Sequence, residues 1–195
     1  MRMMNYRTMI AGAVGLAVWL ACAPAAGARP ARTGGASPQA APAAATTNPN
    51  EGFLRTWREI SGKIAVMGED FPEDKYDFKP KPEVRTFAEQ LLHVTSSVYY
   101  FQAILEGKNP TEEGPKRSDF KSKAEIVAYA KKALADGTAL LEKADFSKTI
   151  PRPKRPINPY AFWSDFCEHA GEHYGQLVVY YRLNGLVPPE SRPKK

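Results

Sequence analysis

The three histidines are the residues of this chain best suited to chemistry, and they are the only three in 195 residues. His169 and His173 stand four apart in a stretch of helical period. That spacing sets both imidazoles on one helix face, about one turn apart and within reach of a single ion. Phe162, Phe166, Leu177 and Tyr180 lie along the same face, which therefore points inward. His93 sits between Leu92 and Val94 in the middle of another helical stretch. A bundle that sets the middle of one helix against the middle of the other, parallel or antiparallel, brings the three rings together. Three neutral imidazoles suit zinc, nickel, iron, manganese or another borderline divalent ion. Three protein ligands also leave coordination positions open, as catalytic sites do. A single buried histidine is ordinarily a hydrogen-bonded core residue. Three inward imidazoles with no partner would carry a polar cost of several kcal/mol, which favours a ligand between them.

Further polar residues flank the pair. Asp165, one turn before His169, is placed to orient an imidazole or to reach the ion itself. Gln176, three after His173, is placed to hydrogen-bond a bound water or substrate. Glu172 is the nearest candidate general base, although Glu168 and Glu172, also four apart, read most simply as a solvated edge. Cys167 lies about 200° around the helix from His169 and points away, as a packed thiol.

Four segments must carry these residues. Over 51–68, Phe53, Trp57, Ile60, Ile64 and Met67 recur at spacings of four and three, the mark of one apolar helix face, and Gly68 is placed to end it. The second, 87–106, opens on the capping box Thr86-x-x-Glu89 and carries Phe87, Leu91, Val94, Val98, Phe101 and Leu105. The third, 123–143, opens on Ser122-x-x-Glu125 and buries Ile126, Val127, Leu134 and Leu141. The fourth, 159–184, has Asn158 as cap, Pro159 at its first position, and Asn184-Gly185 before Pro188-Pro189 as its stop. It is apolar nearly all round, with Trp163, Tyr174 and Tyr181 off the main face. It is therefore either the most buried helix or the seam of a homodimer. The connections 70–85 and 147–156 are too rich in proline for central strands. Four amphipathic helices without strands make an all-α four-helix bundle.

The first 28 residues stand apart. Arg2 and Arg7 form a positive n-region, Ile10 to Ala23 is an apolar run, and Ala26-Gly27-Ala28 is an A-x-A site. That order describes a secretory signal peptide, too short for a comfortable membrane span. Residues 29–50, rich in Ala, Pro, Gly, Ser and Thr, cannot bury enough surface to fold and read as a flexible linker. The folded domain is 51–190 and 191–195 is a basic tail. The mature protein is then periplasmic or extracellular, with no stable membrane span. Loss of Arg2 and Arg7 lowers the formal charge from +6 to +4. The remaining charges are interspersed, with no basic stripe for nucleic acid. Cys22 leaves with the leader, so Cys167 has no internal partner and the domain relies on its core.

The segments EDKYDFKPKPEVRTFAEQLLHV at 73–94 and EHAGEHYGQLVVYYRLNGLVPP at 168–189 resemble the DinB-like (DinB/YfiT-type) metalloenzyme family, over about residues 51–190. The resemblance implies a bundle of up-down-down-up type. It also implies a divalent ion, commonly zinc or nickel, on the positions that match His93, His169 and His173. Families of this kind include thiol-dependent S-transferases, a thiol-dependent isomerase and hydrolases. One departure concerns the last motif, often H-H-R-G-Q, which here reads Glu172-His173-Tyr174-Gly175-Gln176. The arginine that would grip an anionic substrate or thiol cofactor is missing from it. Small-molecule thiol pools are mainly cytoplasmic, so export favours a hydrolase using a metal-activated water over a thiol S-transferase. The alternative is a non-catalytic, metal-stabilised interaction module outside the cytoplasm.

Overall fold

Each of the four segments is a helix in the computed structural model, which describes residues 49–111 and 114–194. The expected signal peptide and nearly all of the linker lie outside the described residues. Helix α1 spans Pro49–Asp70, α2 Phe87–Leu105, α3 Lys123–Glu142 and α4 Pro159–Leu183. The caps are those the residue types favour. Thr86 Oγ1 accepts from the Glu89 amide at 3.1 Å while Glu89 accepts from the Thr86 amide at 2.7 Å. At Ser122 only half of the box forms, because Glu125 reaches past it to the Lys121 amide. Asn158 accepts from the Tyr160 amide, and Gly185 follows the C-cap of α4 with φ of 70°.

Gly68 does not end α1. The helix runs through it to Asp70, just short of Phe71-Pro72, where the residue before proline is pushed out of the helical region. Gly68 instead admits a neighbour: a Cβ there would stand 3.0 Å from Leu91 Cδ2 on α2.

Side-chain contacts fix the direction of each helix. Cys167 lies against Phe53 and Tyr181 donates to the Met67 carbonyl, so α1 and α4 run the same way. Trp57 donates to Thr138, whereas Lys131 pairs with Glu69, so α3 runs opposite to α1. Gln90 meets His173 and Phe101 meets Phe162, so α2 runs opposite to α4. The order is up-down-down-up. Helices α1 and α2 each pack on both α3 and α4. Trp57, Ile64, Leu91, Val98, Phe166 and Leu177 are among the core residues.

Trp163 and Tyr181 are both buried within this chain, so neither needs a partner subunit to cover it. Helix α4 is nonetheless not the most buried. It buries ten of its 25 residues, whereas α2 buries ten of its 19. The reason is that the outer face of α4 is polar, carrying exposed Asp165, Glu168, Glu172 and Gln176. Val127, expected in the core, is only half-buried.

The connections add little regular structure. Ile150 and Ile157 exchange one antiparallel pair of backbone hydrogen bonds, and no strand forms among the described residues. Arg192, in the expected basic tail, folds back and clasps Asp70 with both terminal nitrogens, at 2.7 and 2.5 Å. No helix among the described residues is long and apolar enough to cross a membrane.

Candidate metal centre

The antiparallel contact between α2 and α4 places the histidines. Gln90 and His93, one turn apart on α2, face His173 and His169 on α4. One ligand nitrogen from each of His93, His169 and His173 can be chosen so that all three lie within 4.8 Å of one another. The ring centroids are 4.4 Å apart for His169 and His173, 4.6 Å for His93 and His173, and 5.5 Å for His93 and His169. The Nε2 atoms of His93 and His173 are 3.1 Å apart. Bonds of about 2.0–2.1 Å to one ion hold two ligand nitrogens roughly 3.0–3.4 Å apart, so this spacing fits shared coordination. His173 is buried, and His93 and His169 are half-buried, so the cluster is walled by protein on one side and accessible on the other.

His173 is also supported from behind. Its Nδ1 lies 3.0 Å from Gln176 Oε1 and in contact with the side-chain amide of buried Gln90. If Nε2 is kept free to ligate, Nδ1 must carry the proton and donate it, which Gln176 Oε1 accepts. Gln90 then has to turn its amide oxygen towards the same N–H. The amide oxygen of Gln176 is thus engaged with a ligand imidazole, while the residue also lines the open cleft. Gln90 was not among the residues expected at the site. The signal was present, however: it is the one uncharged polar residue in Phe87–Val94 other than His93, and it lies one turn before it.

The electrostatics favour neutral rings. Burial, then the positive charge of Arg85 and of the other two imidazoles, pushes His93 down to about 4. Burial also lowers His173, against the hydrogen bond to Gln176, with Arg85 lowering it further. Both imidazoles are therefore unprotonated, and able to ligate, throughout the neutral range. Arg85 stands just before the cap of α2 and lines the cleft beside His93 and Gln176. The arginine absent from the last helix is thus matched by one from the other side of the site, which only the fold reveals.

The remaining candidates lie apart. Asp165 is exposed, and no hydrogen bond among the described residues joins it to an imidazole. Glu172 is exposed and paired with Glu168, whose carboxyl it raises by repulsion, so the two form the solvated edge that their spacing suggests. Cys167 is buried against α1, 4.0 Å from the Phe53 carbonyl, and burial pushes its thiol up to about 11.

Two cavities meet at the cluster. An open cleft of about 1520 Å³ reaches His93 from the Arg85 side. A smaller cavity of about 490 Å³ reaches His93 and His169 from between α2 and α3.

Comparison with known proteins agrees with this architecture. A DinB-like protein from Bacillus cereus superposes with a TM-score of 0.59 at 20% identity, over 71% of this chain and 95% of its own. A DinB-like protein from Bacillus subtilis gives 0.56 at 20% identity, over 73% and 99%. No match was found among curated proteins. The sequence model of the DinB superfamily matches residues 63–177, a span that begins in α1, contains all three histidines and ends four residues past His173. With the bundle order and this match in agreement, the chain belongs to the DinB superfamily.

Proposed function

We propose that the protein is an exported metal-dependent enzyme, a hydrolase in preference to a thiol S-transferase, with one divalent ion on His93, His169 and His173. The observation that carries this reading is the mutual approach of three imidazole nitrogens at the junction of two cavities. Zinc and nickel suit an all-imidazole donor set best, with iron or manganese next. An ion held there supplies Lewis acidity near neutral pH. The chain's own part is to keep the rings neutral through burial, to orient His173 through Gln176, and to leave the cleft side open to substrate. Export is inferred from the leader-like residues 1–28.

Metal analysis of the purified protein, alone and as His93→Ala, His169→Ala and His173→Ala, tests the centre. About one ion per chain is expected in the parent and far less in each variant. Stoichiometric metal in the His169→Ala/His173→Ala double variant would falsify the placement. A panel of ester, amide and phosphoester substrates then tests hydrolysis. N-terminal sequencing from the extracytoplasmic fraction should begin within a few residues of Arg29, and an intact Met1 in the cytoplasm counts against export.

A second reading, a metal-stabilised interaction module, is favoured by one observation. The carboxylates beside the ligands on α4, Glu168 and Glu172, are exposed, as is Asp165 one turn before His169. In that case bound metal raises the melting temperature and no substrate turns over.

A further inference from the structure

The two cavities that share His93 and Ser96 differ in chemistry. Among the described residues, five cationic side chains and three carboxylates line the larger cleft. Several of these charges are already engaged. Asp77 holds Arg117 at 2.8 Å, and Glu89 caps α2 through the Thr86 amide. Arg85 differs, since among the described residues no carboxylate lies within ion-pair distance of its guanidinium. It lines the cleft together with His93 and Gln176. Beside it the cleft wall is apolar, with Val84, Val179 and Leu183 each 41–56% exposed.

The smaller cavity is walled by aromatic rings: Tyr99, Tyr100 and Phe101 from α2 and Tyr129 from α3. The Tyr99 and Tyr129 rings stand 6.1 Å apart between centroids, inclined at 60°. Its volume of about 490 Å³ is that of a site for a small organic group. The two cavities adjoin at His93, and His169 also lines the smaller one.

We propose that this site takes a small carboxylate bearing an aryl-sized apolar group. The carboxylate pairs with Arg85, the apolar group lies among Tyr99, Tyr100 and Tyr129, and the bond acted on lies between them at the histidines. A planar guanidinium matches a carboxylate with two parallel hydrogen bonds, and among the described residues no carboxylate of the protein already occupies it. A single guanidinium suits a monoanion better than a phosphate dianion. The placement of the reacting bond rests on the proposed metal centre, whereas the two ends of the ligand rest on side chains alone.

Calorimetric titration of the full chain tests this with two probes, 3-phenylpropionate and its neutral amide, on metal-stripped and on zinc-loaded protein. In both forms the acid is expected to bind about tenfold or more tighter than the amide. Arg85→Gln should abolish that difference with the melting temperature unchanged. Tyr129→Ala should weaken both probes together, and Tyr100→Ala serves if the first variant is destabilised. Equal affinity for acid and amide overturns the proposal. So does an acid preference that survives Arg85→Gln, or the absence of acid binding at millimolar concentration. Failure to bind zinc with the Arg85-dependent preference intact overturns the metal reading alone.

Discussion

At the scale of the residue, His173 illustrates how a site is prepared before any ligand arrives. Its Nε2 faces His93 while Nδ1 is occupied by Gln176 and Gln90. A partner that fixes the tautomer of a ligand imidazole typically contributes 10–100-fold to metal affinity. Gln176→Ala should therefore keep the three histidines and the fold, yet weaken zinc by roughly tenfold or more in a chelator-competition titration. No change would mean that His173 is oriented by packing alone. Acid should act in two ways. Folding depresses His93 from 6.5 to about 4, so the unfolded chain binds a proton that the folded chain refuses. The contribution of this ring to stability is complete above about pH 6.5 and is lost as pH falls towards about 4. Denaturant titrations of the metal-stripped protein at pH 7 and pH 5 should show that fall, and His93→Gln should reduce it. Bound metal should also persist below pH 6, where ordinary imidazoles would already be protonated, and leave as pH approaches 4–5. Release complete at pH 6 would contradict the depressed value.

At the scale of the element, glycines and caps separate local propensity from packing. Gly137 lies in mid-α3, and a Cβ there would come within 2.5 Å of Trp57 Cζ2 and 3.2 Å of Phe166 Cζ. Gly62 in mid-α1 has nothing within 4 Å of the same position. Replacing a helical glycine by alanine gains roughly 0.5–1 kcal/mol from propensity alone. Gly62→Ala should show that gain. Gly137→Ala should instead lose about 1–3 kcal/mol, because the indole is packed and hydrogen-bonded to Thr138 and cannot withdraw freely. Chemical denaturation of the two variants checks the difference in sign. The caps give a parallel contrast. Thr86→Ala removes a reciprocal box and should cost about 1 kcal/mol or more, whereas Ser122→Ala removes half of one and should cost less.

At the scale of the whole domain, the helix directions decide both stability and the site. Leu91 is fully buried, reaches Gly68 of α1, and lies on α2 between Gln90 and His93. Leu91→Ala should cost about 2–5 kcal/mol in a denaturant titration and loosen the α1–α2 contact that steadies the His93 helix. Zinc should recover part of that loss in melting temperature, since it binds only the folded arrangement. A Leu91→Ala protein as stable as the parent would place this stripe outside the core.

Local rules sufficed for the number of helices, their spans within two residues, and the facing of His93, His169 and His173. Apolar spacing, capping residues and the three-to-four-residue helical repeat are properties of short segments. They sufficed as well for reading Glu168 and Glu172 as a solvated edge. They misplaced Gly68, because a glycine near a helix end serves a cap or a close neighbour, and Leu91 is 23 residues away. They did not find Gln90 or Arg85, whose importance depends on what α4 sets opposite α2. They offered Gln176 to a bound water or substrate and did not foresee its contact with His173. Sequence alone thus determined which residues are able to ligate. The antiparallel pairing of α2 with α4, fixed by a core drawn from all four helices, decided which of them meet and what supports them, because such contacts join positions about eighty residues apart.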